Sequence, residues 1–210
     1  MARALIAGAT GLVGKALLQL LQDDAQVTAI VAPTRAPLPP HAKLTNPVGD
    51  DLFELLSTLR QPVELVFCCL GTTRSAAGSA DAFRYVDYQL VVESALTGRR
   101  LGAQHCLVVS ALGANPNSSF LYNRTKGEME QALREQDWPR LTLARPSMLL
   151  GERRSPRLTE RLSLPLFKLL PGKWRAVAAK DVAQSLLQQA FGPGEGVRVL
   201  ESDRLHCYRS

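Results

Sequence analysis

The sequence predicts an α/β fold, a doubly wound parallel sheet with a small C-terminal substrate segment. Three observations carry the prediction. Short apolar runs alternate with helix-forming runs along nearly the whole chain. Residues 63–70 are so continuously apolar that they read as a central parallel strand buried on both faces. Gly8, Gly11 and Gly14 fall between the first apolar run and the first helical run, where a tight turn feeds a helix N-terminus.

Taken in order, residues 3–7 are a buried strand and residues 15–22 a helix. Residues 26–32, rich in valine and isoleucine, are a second strand. Pro33, Pro37, Pro39 and Pro40 then forbid a helix, so a loop replaces the usual crossover. Residues 43–48 are a short third strand, and Asp50 or Asp51 caps a helix that ends near Leu59. After the strand at 63–70 comes a Ser/Ala/Gly-rich loop at 75–80 and a long helix at 81–101. Strand 104–110, a turn-rich run at 113–119, helix 120–136 and strand 141–144 follow. Residues 151–172 are irregular with one helix; helix 181–191 and strand 196–201 close the chain.

A chain of 210 residues with 46% hydrophobic and 21% charged residues supports one ordinary globular domain, residues 1–210. No apolar run reaches the length of a membrane span. Lys15 interrupts the N-terminal apolar run, which argues against a signal peptide. Cys68, Cys69, Cys106 and Cys207 lack metal-ligand spacing and read as buried thiols in a reducing, cytoplasmic setting. Charge is localised. Residues 151–180 hold eight basic residues against Glu152 and Glu160, a surplus equal to the +6 of the whole chain. Such a field suits an anionic small molecule. Nucleic acid is disfavoured, because aromatics are not interleaved with the basic residues.

The chemistry-bearing stretch is Tyr122-x-x-x-Lys126 at the start of a helix. Residues four apart share a helix face. A phenol in isolation is a poor acid–base catalyst at neutral pH, and a neighbouring ammonium favours its ionised form. Such a pair can exchange a proton with a carbonyl or hydroxyl oxygen. Ser110 ends the strand before it, placed to polarise that oxygen.

Gly8-Ala-Thr-Gly-Leu-Val-Gly14, Ser110 and Tyr122-x-x-x-Lys126, in this order, resemble the short-chain dehydrogenase/reductase superfamily. Phe67-Cys-Cys-Leu-Gly-Thr-Thr-Arg74, Ser110-Ala-Leu-Gly-Ala114 and Ser118-Ser-Phe-Leu-Tyr-Asn-Arg-Thr-Lys-Gly-Glu128 are similar to its atypical group around the HIV Tat-interactive oxidoreductase. The resemblance implies a Rossmann fold that binds NADP(H). It implies that Gly8, Thr10, Gly11, Leu12, Val13 and Gly14 hold the pyrophosphate. It places Asp51 (or Asp50) near the adenine, and Leu70, Gly71 and Thr72 beneath the ribose. Pro146 and its successors lie at the nicotinamide end, with Ser110, Tyr122 and Lys126 as the catalytic set.

No acid follows the second strand, where an NAD-preferring site places one for the ribose 2′-hydroxyl. Arg35 is available for a 2′-phosphate, so NADP(H) is favoured over NAD(H). The chain departs from the pattern at Ala32-Pro33, which put Arg35 slightly late, and at Ala111, where relatives often carry a second serine. The expected function is an NADP(H)-dependent oxidoreductase acting on a carbonyl or hydroxyl group. The alternative is an NADP(H)-binding regulatory or redox-sensing protein. A nucleotide-sugar epimerase ranks below both, since it needs a larger substrate domain. The expected assembly is a monomer or a homodimer paired through the two long central helices.

Overall fold

A computed structural model describes residues 1–150 and 174–206. Seven parallel strands form one sheet, in the order β3-β2-β1-β4-β5-β6-β9. They are β1 (Ala2–Ala7), β2 (Val27–Val31), β3 (Leu44–Thr45), β4 (Leu65–Cys68), β5 (His105–Val109), β6 (Arg140–Arg145) and β9 (Gly196–Glu201). β7 (Leu149–Leu150) and β8 (Val177–Ala178) pair in a separate two-stranded ribbon. The helices are α1 (Leu12–Asp23), α2 (Leu52–Thr58), α3 (Arg74–Ala77), α4 (Ala80–Arg84), α5 (Leu90–Arg100), α6 (Leu121–Arg134) and α7 (Ala179–Phe191). A π-helical turn, Tyr85–Gln89, joins α4 to α5.

The central strands β4 and β5 are buried at every position because both faces of the sheet are covered there. Alternate β1 residues point to opposite sides. Ala4 and Ile6 pack with Leu17 and Leu21 of α1 and with Val182 and Leu186 of α7. Leu5 and Ala7 join Val91 and Ala95 of α5 and Met129 and Leu133 of α6. Strand order reverses direction at β1, which lies between β2 and β4, and the crevice at this switch point is where such sheets take ligands. The register levels the ends there: Ala7 pairs with Cys68, and Cys68 with Val108.

Most elements lie where the sequence puts them, and the differences have local causes. The proline stretch is a loop, tied down by Asn46. Its amide donates to the Ala32 carbonyl at 2.6 Å, and its side-chain oxygen accepts from Leu38 N–H at 2.8 Å. The strand expected at 43–48 shrinks to Leu44–Thr45 plus an isolated Thr34–Val48 bridge. Part of the expected 75–80 loop is α3, capped by the Thr73 hydroxyl. The 81–101 helix carries the π turn. The expected helix within 151–172, most of the basic segment, and Cys207 lie outside the described residues.

At the opposite end of the sheet, His105 is buried, with Nε2 2.9 Å from the Thr142 hydroxyl. Burial, reinforced by the cation of Arg140, lowers its pKa to about 4. Between the unfolded value near 6.5 and about 4, the unfolded chain binds a proton that the folded one refuses. Stability therefore falls as pH drops through that window, by about 3 kcal/mol in all. Urea titrations at pH 7 and pH 4.5 test this. Their difference should shrink in His105→Gln, whose side chain does not titrate.

Candidate functional site

At the switch point β1 turns into α1 through Gly8, Gly11 and Gly14, and the three glycines are needed for different reasons. Gly8 has φ +86°, and a Cβ there would lie 2.7 Å from the Cys69 carbonyl carbon. A Cβ on Gly14 would lie 2.0 Å from the Gly8 carbonyl oxygen. Both therefore serve the packing of the turn. Gly11 is different: a Cβ there would meet nothing closer than the Gly8 carbonyl oxygen at 3.4 Å. Packing does not demand a glycine at this exposed position, so its openness is space toward solvent. Gly11 is also the N-cap of α1, with no side-chain cap and no acid in the first turn. The N–H groups of Leu12, Val13 and Gly14 face that space, next to exposed Thr10, at the positive end of the helix dipole. This is a cradle suited to a phosphate.

Beside it, β4 ends in the Leu70–Gly71–Thr72 turn. Beneath this turn lies an ion pair: Lys126 Nζ is 2.8 Å from Asp87 Oδ1, with the two side chains 3% and 1% exposed. Asp87 Oδ2 accepts the Thr72 backbone N–H at 2.8 Å. A Cβ on Gly71 would lie 3.5 Å from Asp87 Oδ1 and 3.9 Å from Lys126 Nζ, so the turn rests directly on the pair. Burial by itself would lower the Lys126 pKa, but attraction to Asp87 and Tyr122 outweighs it and raises the value. One helical turn earlier on α6, Tyr122 is 42% exposed, its ring 5.8 Å from that of Phe83. Phe120, at the α6 N-cap, is exposed beside it.

Ser110 is placed differently. It is buried, and its hydroxyl donates to Glu130 Oε1 at 2.5 Å. Glu130 also takes a two-pronged bond from Arg145, Nε at 2.9 Å and Nη2 at 2.6 Å. Arg145 reaches Glu201 as well, at 3.0 Å. The structure thus places Lys126 under the Gly71 turn, with Tyr122 one helical turn away on α6, and directs the Ser110 proton to Glu130.

Asp51 caps α2 through the Phe53 N–H at 2.8 Å and faces the Tyr85 hydroxyl at 3.4 Å; Asp50 makes no such bond. Arg35 is exposed on the Asn46-braced loop after β2. Pro146 follows β6, and its carbonyl accepts from Leu112 N–H at 2.8 Å. Sequence reasoning missed Asp87, Glu130 and Arg145. A carboxylate on a helix carries no local mark of burial. Burial pushes the Cys68 thiol up to about 11.

A family model described as NAD(P)H-binding matches residues 8–193. The chain belongs to the NAD(P)H-binding family. Among its relatives, Protein HTATIP2 of Rattus norvegicus is 35% identical over 199 residues, covering 91% of this chain and 82% of the relative. Protein FMP52-1, mitochondrial, of Scheffersomyces stipitis is 33% identical over 205 residues, covering 91% of each. MoeE5 in complex with UDP-glucuronic acid and NAD has the same fold, with a TM-score of 0.72 at 18% identity over 94% of this chain and 75% of that one. A short chain dehydrogenase family protein from Francisella tularensis subsp. tularensis SCHU S4 gives 0.69 at 13% identity, covering 97% and 98%. The fold is that of Rossmann dehydrogenases.

The relatives correct one expectation. Cysteine usage pointed to the cytoplasm, yet the FMP52 proteins of Scheffersomyces stipitis, Lodderomyces elongisporus and Aspergillus niger are named mitochondrial. Free buried thiols ask only for reducing surroundings and do not single out a compartment. Among the described residues no helix is long and apolar enough to cross a membrane.

The residues of this NAD(P)H-binding protein fit a nicotinamide dinucleotide: an open glycine, an uncapped helix N-terminus and a buried cation beneath the adjoining turn. Two substitutions separate the roles of the glycines. Gly14→Ala forces backbone apart and should cost about 3 kcal/mol or more in thermal unfolding. Gly11→Ala should stay within about 1 kcal/mol of wild-type stability yet weaken NADPH binding about tenfold in a fluorescence titration.

Proposed function

We propose that the protein is an NADP(H)-dependent oxidoreductase of the short-chain dehydrogenase/reductase type, acting on a carbonyl or hydroxyl group of a small molecule. The observation that carries this reading is the buried Lys126 ammonium, one helical turn from Tyr122 and directly under the Gly71 turn. A bound nicotinamide carries the hydride when it is present. The chain's own residues hold and move the proton. Tyr122 gives its phenolic proton to the carbonyl oxygen in reduction and takes it back in oxidation. Lys126 supplies a positive charge one helical turn from that phenol and donates to the ribose. The backbone N–H groups of Leu12, Val13 and Gly14 hold the pyrophosphate. Leu70, Gly71 and Thr72 form the floor under the ribose, Asp51 lies at the adenine and Pro146 at the nicotinamide end. Arg35 binds the 2′-phosphate, which favours NADP(H) over NAD(H). The surplus positive charge of residues 151–180 favours an anionic substrate.

Ser110 shares in this set through its oxygen. With its proton on the Glu130 side, that oxygen accepts a hydrogen bond from a substrate hydroxyl. The same bond supports a second reading, a cofactor-binding regulatory protein with little turnover, because it withholds a donor from a substrate carbonyl. Tyr122→Phe separates the two. Under the enzymatic reading it lowers NADPH-linked turnover by about a hundredfold or more, with cofactor affinity held within about twofold. NADPH binding with no oxidation across a broad carbonyl panel would favour the regulatory reading. Cofactor choice has its own test: Arg35→Ala should weaken NADPH about tenfold and leave NADH unchanged.

A further inference from the structure

The reading of Lys126 as a fixed cation leaves open what keeps it charged. A side chain 3% exposed has lost its hydration, and burial alone drives a lysine toward its neutral form. The charge must be held by the protein. Asp87 is the group placed to hold it, 2.8 Å away and itself 1% exposed. Its other oxygen does separate work, accepting the Thr72 backbone N–H at 2.8 Å. One carboxylate thus binds both the ammonium and the turn lying over it. Asp87 stands in the π-helical turn Tyr85–Gln89, a rare backbone form that is frequent at functional sites.

We propose that Asp87 is a positioning residue, fixing the Lys126 ammonium beneath the Gly71–Thr72 turn in advance of cofactor and joining that turn to α6 as one unit. The proposal rests on the reading of Lys126 as the cation that meets the cofactor. It adds the reason the cation is ready there: Asp87 never touches the reacting atoms and acts through Lys126 and the Thr72 backbone.

The charged and titratable groups around Lys126 make the role testable. Asp87 faces it from the π turn, Tyr122 from α6 itself and Cys68 from β4. Elsewhere on the packed elements, Glu130 is engaged by Arg145 and Glu128 by Arg84. With Asp87 neutralised, no other carboxylate among the described residues is directed at Lys126 to offset burial. Burial then shifts the ammonium toward its neutral form, whereas in the wild type the attraction to Asp87 outweighs burial.

The experiment follows NADPH binding by fluorescence from pH 6.5 to 8.5 in the full chain, for wild type, D87N and D87E. The ratio of variant to wild-type Kd cancels the titration of the cofactor's own phosphates. For D87N that ratio should climb about tenfold across the range. For D87E, which keeps the charge, it should stay flat. A folded D87N protein with a flat ratio overturns the proposal. Should D87N fail to fold, 13Cε-lysine NMR of the cofactor-free wild type decides: Lys126 charged through about pH 10 supports the proposal, and titration below about 9 overturns it. Binding alone is read, so a wild type that binds NADPH but never oxidises it sinks the enzymatic reading and leaves this test intact.

Discussion

Two charges taken out of water dominate the ligand end of this sheet. Burying an ion costs several kcal/mol even after relaxation, and a partner recovers that only at short range with its remaining valences filled. Lys126 and Asp87 meet at 2.8 Å, and the second Asp87 oxygen is filled by a backbone N–H. That geometry makes demands on three elements at once. α6 must present Lys126 inward, the π turn must present Asp87, and the chain leaving β4 must bring Thr72 N–H over the carboxylate. The level register of β1, β4 and β5 supplies the common plane on which all three are set. Removing either charge strands the other, so the pair constrains every neighbouring element more than any apolar contact does.

The glycine turn obeys the same economy of close approach. Gly8 and Gly14 are needed because backbone meets backbone, and no side chain fits between β1, the end of β4 and the first turn of α1. Gly11 is needed by nothing within the protein. The contrast converts a sequence motif into a physical statement, since a residue without a side chain where one would fit marks space kept for something else. The cradle and the cation adjoin: Gly8 packs against the backbone of Cys69 and Leu70, and the next residue, Gly71, covers the ion pair.

The fold was legible because a parallel sheet buried on both faces writes its strands as unbroken apolar runs, and because proline at 33–40 and the glycines mark the loops. Two-residue β7 and β8 carry no periodicity and were not legible. The π turn is invisible in a sequence whose apolar spacing through 81–101 reads as one helix. At the site, Tyr122 and Lys126 announced themselves because their relation is local, one helical turn. Asp87 and Glu130 did not, because each owes its burial to partners far along the chain, and a helical acid is ordinarily a solvated one.

The two buried acids divide the polar groups of α6 in a way that bears on chemistry. Asp87 takes the Lys126 ammonium, while Glu130 takes the Ser110 hydroxyl and the Arg145 guanidinium. Tyr122, two turns before Glu130 on the same helix, is the member left with its hydroxyl open to an incoming molecule and unbonded to any described residue. A substrate oxygen arriving there meets one hydroxyl donor, not two. Glu130 accepts from Ser110 and, through both oxygens, from Arg145, so the serine proton is already engaged. On the proposed function, proton transfer at this edge therefore concentrates on a single phenol, Tyr122. The Lys126 ammonium is attracted to that phenol and is paired with Asp87 at 2.8 Å. On the proposed reading the buried Lys126–Asp87 pair, and not the serine, is the part of the site that bears on the phenol, since Ser110 is bonded to Glu130.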